Sequence, residues 1–247
     1  MQERGSSRYG NAMLHVIRNT LRRLCRCVIC ENPATWHNLC AQCHRDLPVA
    51  HSACQRCALP LPEPDARCGA CLLHTPVWDN AASAFDYRFP VDLLVTRTKF
   101  NGRLDMARAL GHASAHQFQI AHPVNADAIL PIPLHWRRRW QRGFNQAAVL
   151  AEPVADYLNI PFRCDLLQRK RSTPEQTRLD GEARRENLDG AFAVTGDVTH
   201  QNLILFDDVM TTGATLGAAT TALKTSGANT VRVWTCARVA TGNRQTN

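Results

Sequence analysis

Four Cys-x-x-Cys pairs follow one another early in the chain: Cys27/Cys30, Cys40/Cys43, Cys54/Cys57 and Cys68/Cys71, with 9, 10 and 10 residues between them. A Cys-x-x-Cys turn aims two thiolates at one point, and two such turns close a tetrahedral zinc site. Eight ligands therefore predict two structural Zn2+ ions. Consecutive pairing explains the tandem repeat most simply. It assigns Cys27, Cys30, Cys40 and Cys43 to one ion and Cys54, Cys57, Cys68 and Cys71 to the other. Interleaved pairing also satisfies the spacing. Cys25 breaks the pattern and is expected outside the sites, and two complete cysteine sets leave His37, His44, His51 and His74 unneeded. Disulfides would require an oxidising compartment, the regular two-residue spacing favours zinc over an iron–sulfur cluster, and a redox role for one pair would not explain four. The segment has few aliphatic side chains, so metal must supply much of its folding free energy.

The 247 residues leave room for an ordinary domain beside this module. A composition of 45% hydrophobic and 20% charged residues excludes a disordered chain. No apolar run approaches the roughly 18 to 20 residues of a membrane helix. Arg18, Arg22, Arg23 and Arg26 interrupt the Leu14–Arg26 segment, unlike the core of a signal peptide. A cytoplasmic protein is expected. The formal charge is +8, and all but three of the 29 basic residues are arginine, which suits bidentate recognition of phosphate. Two zinc ions on eight thiolates would lower that charge to about +4. Placement is therefore more informative than the total: arginines cluster at 18–26, 137–142 and 169–185.

These features divide the chain into a basic arm (1–24), a double zinc ribbon (25–75), an α/β domain (76–240) and a tail (241–247). After Pro76, apolar runs alternate with helical periodicity. Strands are predicted at Ala81–Tyr87, Ala126–Pro131, Phe162–Leu167, Asn202–Phe206 and Thr230–Ala237. Helices are predicted at Val91–Phe100, Met106–Phe118, Phe144–Leu158 and Ala214–Thr225, and Ser172–Asp189 reads as an exposed loop. Strand–helix–strand repetition implies a mainly parallel twisted sheet flanked by helices.

Within that domain the segment 203–215, Leu-Ile-Leu-Phe-Asp-Asp-Val-Met-Thr-Thr-Gly-Ala-Thr, carries the chemistry. An apolar strand ends in two carboxylates, and a small, hydroxyl-rich turn then opens a helix. Amides at a helix N-terminus, with the dipole behind them, bind anions. Thr211, Thr212 and Thr215 add hydroxyl donors, and Gly213 lets the backbone close on a phosphate. Asp207 and Asp208 can accept hydrogen bonds from vicinal sugar hydroxyls. This segment resembles the phosphoribosyl pyrophosphate (PRPP) signature of type I phosphoribosyltransferases. By that resemblance Asp207 and Asp208 would hold the ribose, and Met210, Thr211, Thr212, Gly213, Ala214 and Thr215 the 5′-phosphate.

A second segment, Leu130-Pro-Ile-Pro-Leu-His-Trp-Arg-Arg-Arg-Trp-Gln-Arg-Gly-Phe-Asn-Gln146, resembles the hallmark of the ComF/GntX family, with its Pro-x-Pro loop and Arg-Gly-Phe-Asn-Gln run. The resemblance extends from Cys27 to Val239 and leaves residues 1–12 outside, so that Met13 is an alternative start. It implies a type I phosphoribosyltransferase fold behind a double zinc ribbon. The arginine-rich stretch read as a loop corresponds by position to the pyrophosphate loop, with Arg138 and Arg142 the preferred ligands and Arg137 and Arg139 more solvated. Lys99, in Lys-Phe-Asn-Gly, matches a family motif and joins the pyrophosphate or DNA set. Arg178, Arg184, Arg185 and Asn187 would lie on the flexible hood that closes over substrate.

Such an enzyme displaces pyrophosphate from ribose C1 of PRPP, with Mg2+ neutralising the departing charge. No acceptor is legible, so catalysis is left open. The resemblance implies service in natural competence or the utilisation of extracellular DNA, with other DNA-uptake proteins as partners; the alternatives are a non-catalytic single-stranded DNA-binding accessory and a PRPP-sensing regulator. Trp136, Trp140 and Phe144 would stack on bases in the DNA reading, or pack against the domain.

Overall fold

The computed structural model describes residues 25–63, 67–121, 125–170 and 190–240. Two compact units divide between the cysteine sets, at Met1–Leu47 and Pro48–Asn247. In the first, residues 25–47 make two short knuckles around a five-residue helix, α1 (Ala41–Arg45). Cys40 caps α1, its Sγ accepting from the Cys43 amide, and Leu39 is fully buried.

The second unit begins with the other cysteine set and its helix α2 (Gly69–Leu73), and continues as an α/β body. Its sheet has four strands, all parallel, in the order β1 (Asn80–Asp86), β6 (Thr230–Arg238), β5 (Asn202–Met210), β2 (Ala128–Pro131). Between β1 and β2 run α3 (Val91–Asn101) and α4 (Leu104–Ala121). Two helices, α5 (Trp136–Arg142) and α6 (Gln146–Leu158), follow β2, and α7 (Ala214–Thr225) joins β5 to β6. A separate antiparallel pair, β3 (Leu167–Arg169) with β4 (Phe192–Val194), flanks residues 171–189.

Strand alternation sorts the core into two faces. Leu203, Leu205, Val231 and Val233 pack with Leu216, Ala219 and Leu223 of α7. On the α4 side, Phe118 stacks on Trp234 at 4.2 Å between ring centroids and meets Phe206 edge-on at 6.3 Å. Gly111 lets α4 approach α6, since a Cβ there would lie 2.7 Å from the Leu150 carbonyl oxygen.

Three sequence expectations are shifted. The central strand extends four residues further, so the acidic pair lies inside β5, with Asp207 paired to Thr235 of β6. The predicted strand Phe162–Leu167 falls later, at Leu167–Arg169, and Phe162 makes a single bridge to Ile129. The arginine stretch read as a loop is the helix α5. His135 caps its start and Gly143, at φ 76°, terminates it in the left-handed region that glycine adopts freely. Ser172–Asp189, with Arg178, Arg184, Arg185 and Asn187, lies outside the described residues, as do the N-terminal arm (1–24) and the tail (241–247).

Candidate anion-binding site and metal centres

Each consecutive cysteine set gathers to a point. The four Sγ atoms of Cys27, Cys30, Cys40 and Cys43 lie within 4.8 Å of one another, and so do those of Cys54, Cys57, Cys68 and Cys71. Cys30 and Cys40 sulfurs are 3.6 Å apart, and Cys57 and Cys68 sulfurs 3.5 Å. A regular tetrahedron with Zn–S bonds of 2.3 Å requires about 3.8 Å, so both sets fit zinc. No histidine belongs to either set among the described residues. Burial raises the Cys54 thiol, but backbone amides of Cys68, Arg56 and Cys57 outweigh it and bring it to about 7. Burial, then hydrogen bonds from neighbouring thiols, push Cys71 well above its ordinary value. Four thiolates at one point thus need a cation among them.

The anion-binding candidate is assembled at the carboxyl end of β5, where open α/β sheets place their ligands. Alternation puts the two carboxylates in different surroundings. Asp208 is buried and Asp207 half-buried. Lys99, from the last turn of α3, places Nζ 2.8 Å from Asp208 Oδ2. Burial opposes the Lys99 charge, but Asp208, and then Asp207, more than offset it and hold its pKa above the ordinary lysine value. Burial, and after it the Asp208 charge, push the Asp207 carboxyl up to about 8. The site therefore concentrates two carboxylates around one ammonium, and replacing Lys99 with Met should destabilise the fold by about 2–3 kcal/mol. Urea unfolding of Lys99→Met checks this, and an unchanged midpoint would contradict a stabilising pair.

The turn after β5 is shaped by close approach. Gly213 caps α7 at φ 79°, and a Cβ there would sit 2.7 Å from Cη2 of the Trp78 ring. Both the backbone conformation and the space demand glycine. Thr211 and Thr212 are exposed, and Thr215 is half-buried. The amide of Ala214 lies 3.4 Å from Thr212 Oγ1. Trp78, on the segment leading into β1, was no candidate in the sequence. Its indole Nε1 donates to the Arg56 carbonyl, and a tryptophan one residue past a Pro-Val break carries no motif to reveal it.

On α5, Arg138 and Arg142 stand one turn apart and are half-buried, whereas Arg137 and Arg139 are exposed. Two residues along a helix turn about 200°, so Trp136 and Trp140 lie on the opposite side. They are 63% and 88% exposed rather than packed. A short helix capped at both ends has room to bury one face alone. Arg137 lies over the Trp136 ring, 5.2 Å from its centroid. Phe144 is half-buried just beyond the helix. Arg169, closing β3, adds a cation that sequence reading left unassigned. Burial, then the Arg138 charge, lowers its pKa, and Asp207 opposes them.

A parallel sheet that delivers an acidic pair into a Thr-Thr-Gly-x-Thr turn is the architecture of a type I phosphoribosyltransferase fold, here preceded by two four-cysteine ribbons. Family models agree: the double zinc ribbon domain matches residues 24–72 and the phosphoribosyl transferase domain residues 145–246. The chain is 35% identical over 167 residues to DNA utilization protein YhgH of Salmonella typhi, spanning 66% of this chain and 74% of that protein. It is 31% identical over 170 residues to Competence protein F of Haemophilus influenzae, with the same shares. Competence protein ComFC of Bacillus subtilis is 31% identical over 146 residues, 59% of this chain and 58% of that one. The chain belongs to the ComF/GntX family. No described helix is long and apolar enough to cross a membrane.

Proposed function

We propose that this chain binds PRPP with Mg2+ at the end of β5 and serves competence or the use of extracellular DNA, a reading supported by relatives named DNA utilization protein and Competence protein. Asp207 and Asp208 would hold the ribose hydroxyls, the Met210–Thr215 turn the 5′-phosphate, and Arg138 and Arg142 the pyrophosphate. Mg2+ would neutralise charge on the pyrophosphate oxygens. The observation that carries this reading is the Lys99–Asp208 pair at 2.8 Å beside Asp207, next to a turn that tolerates only glycine at position 213. Lys99 then acts through Asp208, fixing the direction in which that carboxylate accepts from a hydroxyl. PRPP with Mg2+ at 100 times its Kd should raise the Tm by about 5–10 °C. No shift would refute the assignment. Screening nucleobases and DNA fragments for pyrophosphate release then decides whether pentosyl transfer follows.

A second activity at the same end of the molecule is favoured by the exposure of Trp136 and Trp140 on an arginine-rich helix. Aromatic rings beside a cationic surface suit single-stranded DNA, since stacking contributes about 1–3 kcal/mol per base. Single-strand affinity should fall steeply with salt, and Trp136→Ala/Trp140→Ala should weaken it at least about tenfold. Arg138→Ala/Arg142→Ala should reduce the salt slope by about 1.4. Filter binding across a salt series measures both, and salt-independent binding would exclude an electrostatic DNA role.

A further inference from the structure

The second cysteine set is built into the α/β body through three consecutive residues of its first knuckle, Gln55, Arg56 and Cys57. The Gln55 carbonyl accepts from the Ala81 amide at 3.0 Å. The Arg56 carbonyl accepts from Trp78 Nε1, and the Arg56 guanidinium donates to the Pro76, Trp78 and Asp79 carbonyls. The Cys57 carbonyl accepts from Arg238 Nε at 2.9 Å. Arg238 is the last residue of β6 and only 5% exposed. Its Nη1 lies 3.1, 2.7 and 2.6 Å from the carbonyl oxygens of Met210, Thr211 and Val239. One guanidinium therefore grips a zinc knuckle with one edge and the start of the candidate phosphate turn with the other.

Peptide planarity gives this grip a consequence. In a trans peptide the carbonyl and the following amide point in opposite directions. Drawing the Met210 and Thr211 carbonyls onto Arg238 therefore turns the Thr211 and Thr212 amides away from it, toward the outer side of the turn. A planar fork can hold several carbonyls in fixed directions, which a lysine ammonium on a flexible stem cannot do. Trp78 makes the second link, hydrogen-bonded to the knuckle at Arg56 and closed against Gly213.

We propose that Arg238 and Trp78 are positioning residues that make the geometry of the Met210–Thr215 turn depend on occupancy of the second zinc site. The role in ligand binding rests on reading that turn as the PRPP site; the mechanical link does not. Metal loss from the Cys54 set would free the Cys57 carbonyl and Arg56, release Arg238, and let the turn amides lose their common direction.

The test uses the full zinc-loaded chain in two arms. The first needs no ligand. Exchange of the Gly217 amide, donated to the Gly213 carbonyl at 2.8 Å, and of the Val239 amide, donated to Met210 at 3.1 Å, reports closure of the turn. Arg238→Lys, with both zinc ions retained, should accelerate both amides roughly tenfold. Cys71→Ser should do the same, and Cys30→Ser in the other unit should not. Should Cys71→Ser fail to fold, Arg238→Lys and Trp78→Phe still decide the matter. Unchanged exchange in those variants, or equal acceleration in Cys30→Ser, would overturn the proposal.

The second arm uses reciprocity, because a ligand that favours the closed turn must protect the metal that supports it. In equilibrium competition with a chelator, PRPP with Mg2+ should tighten the binding of one zinc ion roughly tenfold and leave the other unchanged. Arg238→Lys should abolish that difference, whereas a merely structural arginine would lower the Tm and leave the protection intact. Absence of PRPP binding in the unaltered protein would remove the ligand reading alone, and the exchange arm would still stand or fall by itself.

Discussion

Zinc removal should release two equivalents of metal and lower the Tm of the full-length protein by roughly 10 °C or more. The expectation comes from what surrounds the sulfurs. In the second set Cys54, Cys68 and Cys71 are buried, and among the described residues Cys57, Leu59 and Leu61 are the hydrophobic ones that pack against them. Two leucines cannot organise such a segment, so the metal must. Because Gln55, Arg56 and Cys57 all bond to the α/β body, loss of the second ion should disturb the start of β1 and the end of β6 as well. Elemental analysis with calorimetry before and after chelation measures the effect. A single equivalent, or an unchanged Tm, would contradict two structural zinc sites.

Asp207→Asn should move stability and ligand binding in opposite directions. The folded-state pKa of Asp207 is raised to about 8 from an unfolded value of 3.8. Between those values the folded chain holds a proton that the unfolded chain has lost, so this group's contribution to stability falls as pH rises through the window. It is most unfavourable above pH 8 and absent below about 4. Asparagine cannot ionise. The variant should therefore be more stable by about 1 kcal/mol or more at pH 8, a gain of at least about 2–4 °C in Tm, and should show no gain near pH 4. Its PRPP affinity should drop by a factor of about 100, because a carboxylate that accepts from a sugar hydroxyl is lost in a desolvated site. A destabilised variant at pH 8 would show that Asp207 is held by favourable contacts rather than strained for binding.

Legibility from sequence followed the range over which each constraint acts. The cysteine spacing is local, so the four pairs could be read directly; spacing also allowed interleaved sets, and the fold closes each site through consecutive knuckles. The 203–215 segment is equally local: strand, acids, turn and helix succeed one another without interruption. The Lys99–Asp208 pair joins residues far apart in sequence, and only the family resemblance drew attention to Lys99. Arg238 had no such signal. It lies at the end of an apolar strand, 28 residues past Met210, and its partners are backbone carbonyls, which leave no trace in side-chain patterns. A charged residue closing a buried strand was the available clue, since a buried cation must find acceptors. Helix α5 was misread because its arginines and tryptophans have no apolar periodicity; its caps, His135 and Gly143, define it instead. The boundary between compact units was illegible for a related reason. Both cysteine sets look alike in sequence, yet the second is built into the sheet through the Ala81 amide, Trp78 and Arg238.

Isothermal calorimetry of the zinc-loaded protein with PRPP, in the presence and absence of Mg2+, tests the proposed PRPP site at the β5 carboxyl end. Saturable one-to-one binding that requires Mg2+ and disappears in Asp207→Ala/Asp208→Ala, with both zinc ions still bound, is the predicted result. No heat of binding in the unaltered protein, or the same Kd in the double variant, would contradict it.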